Sequence, residues 1–121
     1  MALDPNELSR LAKAQLSPSE LGNSIVYLLT TQVAKGSTLE FPQVSITAPW
    51  QARVAFIDLD PLANFGHACR YVLINPGTGE TKSVDARFPP FRSGAEDRWQ
   101  VVYKAPGVPD SALAAPKKRE S

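Results

Sequence analysis

Residues 68–88 read ACRYVLINPGTGETKSVDARF, and the class of the fold follows from them. Ala68–Asn75 is a run of β-favouring residues, Pro76-Gly77-Thr78-Gly79 is a turn, and Glu80–Phe88 is a returning strand. The glycines allow the positive φ that a tight hairpin turn needs. On the return, Thr81, Ser83, Asp85 and Arg87 alternate with Val84, Ala86 and Phe88, so one face is polar. Two strands joined in this way are antiparallel.

Outward from the hairpin, Arg53–Leu59 is apolar on both faces: Ala55, Ile57 and Leu59 on one, Val54 and Phe56 on the other. This pattern predicts a central strand beneath helices, ended by Asp60-Pro61. Thr38–Thr47 is rich in β-favouring residues, but Pro42 cannot donate to a ladder, so it reads as an edge strand or two short pieces. Pro49-Trp50 marks a corner. Pro89-Pro90 stops the returning strand, Phe91–Asp97 is a loop, and Arg98–Lys104 is a last strand.

The N-terminal part writes one helix-start signal twice, as Leu3-Asp4-Pro5-Asn6-Glu7-Leu8 and Leu16-Ser17-Pro18-Ser19-Glu20-Leu21. Each copy has a capping side chain, a proline at the first helical position and a glutamate three residues after the cap. Helices are expected over 5–15 and 18–35. The second would carry an apolar stripe of Leu21, Ile25, Leu28, Leu29 and Val33, with Gly36 just past its end. The expected class is α+β, with two N-terminal helices packed on one face of a curved antiparallel sheet of about five strands. In outline this order resembles the cystatin-like and NTF2-like architectures. Residues 1–104 would form one domain and 105–121 a flexible tail.

The net charge is +1, and the segment from Ala105 supplies it through Lys117, Lys118 and Arg119 against Asp110 and Glu120. A neutral body argues against a nucleic-acid or anionic-membrane partner, whose binding would draw on a basic field. Cys69 is the single cysteine, so no disulfide can form within the chain, which fits a reducing, cytoplasmic setting. No basic stretch followed by an apolar one suggests export, and no apolar run approaches the roughly 18 residues of a membrane span.

Candidate chemistry is sparse. His67 and Cys69 would share a face of an extended strand about 6–7 Å apart, a pair that could act as base and nucleophile. Asp58 and Asp60 flank Leu59 at the end of the presumed central strand, near His67. Together these could line the mouth of a pocket that binds or transforms a small molecule. The plainer reading is a buried structural thiol and acids that end a strand. Two carboxylates and an imidazole could also hold a metal ion, but the plainer reading expects none. Asn75–Glu80 lacks the third glycine of a dinucleotide site and the lysine of a phosphate loop, so no cofactor is expected. Gln32-Val33-Ala34-Lys35-Gly36 with Pro49-Trp50 resembles the QxVxG loop and Pro-Trp hairpin of the cystatins. It departs from them at Ala34 and in ending a predicted helix.

Arg70, Arg87, Arg92 and Arg98 lie among Phe88, Phe91 and Trp99, a mixture that suits a protein interface. Trp50, Phe91 and Trp99 are the candidate anchors. The resulting expectation is a non-enzymatic binding module that meets another copy or a protein partner. Contact would run through an open sheet face or the edge strand near Pro42. Two other classes stand beside it: the pocket with Asp58, Asp60 and His67 at its mouth, and an inhibitor or immunity-type protein that occupies another enzyme's site.

Overall fold

Both capping signals operate, but only the first starts a helix of more than one turn. The computed structural model describes residues 4–41, 43–63, 67–90 and 98–113. Helix α1 spans Pro5–Lys13 and α2 only Pro18–Leu21. The Asp4 carboxylate accepts from the Glu7 amide at 2.8 Å. In α2 the capping box is complete: Ser17 Oγ accepts from the Glu20 amide at 3.2 Å, and the Glu20 carboxylate accepts from the Ser17 amide at 2.9 Å.

The long second helix does not form. Its supposed stripe is strand β1, Ile25–Leu29, with all five residues buried. Gly22 and Asn23 turn the chain out of α2, and β-branched and aromatic side chains then favour extended backbone. A strand covered on both faces reads as an unbroken apolar run, which periodicity cannot tell from a buried helix.

The remaining strands are β2 (Thr38–Phe41), β3 (Val44–Thr47), β4 (Arg53–Asp58), β5 (Cys69–Ile74), β6 (Thr81–Ala86) and β7 (Trp99–Lys104). Five of them form an antiparallel sheet in the order β6-β5-β4-β1-β7, with β4 at its centre. The chain is thus α+β, with α1 and α2 on one face. Leu8, Ala12 and Leu16 pack there on Val26, Leu28, Ala55, Ile57, Val72 and Ile74.

The other face is covered too. β2 and β3 form a separate two-stranded sheet at the end of an arm that grows out of β1 and β4. Val33 and Ala52 exchange backbone hydrogen bonds of 2.8 and 2.9 Å at its base. Ile46 of the arm is buried, and Leu39, Phe41 and Val44 pack beside it on the core that contains Phe56, Tyr71 and Trp99. Phe41 lies flat on Tyr71, with ring centres 4.2 Å apart. So the stretch around Pro42 is two short pieces, and it belongs to the arm rather than to an edge of the main sheet. Pro42 itself lies outside the described residues.

The chain from Ala105 to Leu113, expected as the start of a tail, is docked on the same face. The Ala105 amide donates to Ser24 O at 2.9 Å, and Ala105 and Val108 are buried. Residues 114–121 of the expected tail lie outside the described residues. Among the described residues the inner strands β1, β4 and β5 are therefore covered on both faces, and the sheet meets solvent mainly at β6 and β7. Among the described residues no helix is long and apolar enough to cross a membrane.

Candidate functional site

The end of the central strand gathers part of the expected constellation. Asp58 closes β4 and faces Cys69, the first residue of β5, in the register. His67 lies just before β5, with Nε2 2.8 Å from Asp58 Oδ1. The same oxygen accepts from the Asp60 amide at 3.0 Å. The side chains of Asp58 and His67 are 7% and 9% exposed, whereas Asp60 is exposed. Burial pushes the Asp58 carboxyl above its ordinary value, opposed by the Asp60 amide and by His67. Burial, helped by the Asp58 charge, pushes the Cys69 thiol up to about 12. At that value the thiolate needed of a nucleophile is scarce at neutral pH. Among the described residues, no group of three or more His, Cys, Asp or Glu side chains is placed to hold a metal ion.

The expected interface residues separate. Trp99 is 3% exposed and sits edge-on to Phe56 in the core, so it offers a partner no surface. An apolar first residue of β7 faces inward once the arm covers that side. Trp50 is half-buried at the margin of the same core. Arg70 is tied down: Nε donates to Asp85 at 2.7 Å, Nη1 donates to Gln15 O at 2.9 Å, and both Nη atoms reach the Glu20 carboxylate at 3.4 Å. Arg87 is exposed, and its guanidinium makes no hydrogen bond or ion pair among the described residues. Phe91 and Arg92 lie outside the described residues.

Arg87 stands at the end of β6, and β6 is the feature that residue-type reasoning missed. Its six residues pair with β5 in unbroken register, from Cys69↔Ala86 to Ile74↔Thr81. No described strand lies on its outer side. The Asn75 amide donates to Glu80 O at 2.7 Å. By the alternation of an antiparallel ladder, Lys82, Val84 and Ala86 then bond to β5, and the backbone groups of Thr81, Ser83 and Asp85 point outward. The opposite edge, β7, is irregular: its register on β1 jumps from Val26↔Tyr103 to Tyr27↔Val101, leaving Val102 as a bulge.

Two hollows flank the end of β6, one on each face of the sheet. The first, of about 370 Å³, is lined by Glu20, Leu59, Cys69 and Arg70 on the helix side. The second, of about 210 Å³, is lined by Gln43, Val44 and Phe88 on the arm side. Asp85, Ala86 and Arg87 line both. The alternation of Thr81, Ser83 and Asp85 signalled a half-wet strand, but nothing local said that β6 would be last in the sheet. That depends on β1 and β7 pairing on the far side. Compared with protein families, curated proteins and solved structures, the chain matches none.

Proposed function

We propose that this protein is a binding module that takes up an extended polypeptide segment as an added strand on β6. The observation that carries this reading is the regular outer edge of β6 with a hollow on either side of its end. Main-chain groups of Thr81, Ser83 and Asp85 supply hydrogen bonds common to any extended chain, which gives affinity. The two hollows receive alternate side chains of the guest, which gives selectivity. Cover on both faces of the inner strands β1, β4 and β5 favours the edge as the route by which the sheet recruits a partner. The depressed reactivity of Cys69 favours binding over thiol chemistry at this end of the molecule.

The test is selection of a displayed library of random eight-residue peptides against the protein and against its Ser83→Pro variant. Proline at Ser83 removes an outward-pointing donor and leaves the β5–β6 ladder its own bonds. Peptides enriched on the parent chain should lose binding to Ser83→Pro, while thermal unfolding of the variant stays close to the parent's. Enriched peptides that bind both proteins equally would overturn strand addition.

A further inference from the structure

The charges around β6 are unequal in a way that specifies the guest. Glu20 and Asp85 both accept from Arg70, and Glu20 also accepts from the Ser17 amide, so the two carboxylates beside the helix-side hollow already have partners. Arg87 lines both hollows, and its side chain has no hydrogen bond or ion pair among the described residues. Of the two cations that line these hollows, Arg70 and Arg87, it is the one that a guest can satisfy without competing against an existing bond among the described residues. The arm-side hollow is smaller and takes its apolar wall from Val44, Ala86 and Phe88. Neighbouring residues of an added strand point to opposite faces.

Resting on the strand-addition reading, we infer that the guest is an acidic segment in which a Glu or Asp adjoins an aliphatic residue. The carboxylate pairs with Arg87 from the helix side, and the aliphatic side chain fills the hollow against Val44 and Phe88. Charge assistance makes the carboxylate–guanidinium contact the selective one, and the aliphatic contact removes apolar surface from water.

Two capped eight-residue peptides of alternating Thr and Val serve as probes, one with Glu-Val at its centre and the other with Lys-Val. Each is titrated into 15N-labelled protein and into Arg87→Glu, following the amides of Thr81, Ser83 and Asp85. The Glu peptide should bind the parent chain at least ten-fold tighter than the Lys peptide, and Arg87→Glu should reverse that order. If both peptides shift the β6 amides with equal affinity in both proteins, the acidic specificity is wrong and strand addition stands. If neither shifts them, strand addition fails as well. A dimer of the peptide-free protein that Ser83→Pro dissolves in sedimentation would overturn the inference in favour of a second copy of this chain as the occupant.

Discussion

His67 Nε2 lies 2.8 Å from Asp58 Oδ1, and Asp58 is the last residue of the central strand. The pair joins β4 to the segment entering β5, and the His67 amide in turn donates to Arg87 O at 2.7 Å. Through these two contacts His67 ties three neighbouring strand ends together.

Removing the imidazole should therefore be costly. His67→Ala leaves a buried carboxylate whose remaining bond among the described residues is the Asp60 amide. Breaking a buried pair from one side costs roughly 3–5 kcal/mol, and the Asp60 bond keeps the expected loss near the low end, about 3 kcal/mol. Urea unfolding monitored by tryptophan fluorescence measures it. A loss below about 1 kcal/mol would mean that the pair contributes little beyond the packing of its neighbours.

The sign of the pH dependence follows from the raised Asp58 carboxyl. A group whose folded value exceeds its unfolded value holds its proton more tightly in the native state. Its stabilisation is complete below the unfolded value of about 4 and is lost as pH rises through the higher folded value. Asp58→Asn removes this term, while other carboxylates titrate alike in both proteins. The parent chain should gain on Asp58→Asn as pH falls from 7 to 4, read as the difference between their urea midpoints. A gain by the variant instead would show that the ionised pair dominates.

Cys69 should be silent toward thiol reagents in the native protein. It is buried, and its thiol is raised to about 12 by loss of solvation and the Asp58 charge. As the single cysteine of the chain it gives an unambiguous signal. Labelling by a chromogenic disulfide at pH 8 should follow the opening of the protein and become fast only in denaturant. Rapid stoichiometric labelling of the native state would show an accessible, activated thiol.

The hairpin 68–88 and the central place of Arg53–Leu59 were legible because alternation and turn chemistry are local properties. The capping residues were legible for the same reason. Ile25–Leu29 was not, because its burial on both faces is imposed by α1 and by an arm that lies later in the chain. The convergence of Asp58 with His67 was within reach of the sequence through nearness alone. Its seclusion was not, since the cover comes from elements distant along the chain. The open edge of β6 belongs to the topology and has no residue signature of its own.

Gln43 sits at the tip of the arm with φ of 63°, the left-handed region that a side chain with a Cβ adopts at a cost. Gln43→Gly removes that strain, offset in part by a more flexible unfolded chain. The net gain should be about 0.5–1 kcal/mol, visible as a higher urea midpoint with an unchanged slope. A loss would mean that the Gln43 side chain contributes contacts worth more than the strain.

Arg70 distinguishes shape from charge. Its guanidinium spans Asp85, the Gln15 carbonyl and Glu20, and so ties the end of the α1 region and α2 to β5 and β6. Asp85 is 80% exposed, so solvent screens much of that ion pair, and the part-buried bond to Gln15 O is the more valuable one. A lysine keeps the charge but, as a single ammonium, cannot reach all three partners. Arg70→Lys should therefore lose most of what Arg70→Ala loses, about 1–2 kcal/mol by urea unfolding, and 0.5 M salt should change either loss only slightly. If lysine restored full stability, or if salt abolished the difference, long-range charge rather than the fixed geometry of the fork would be the source of the effect.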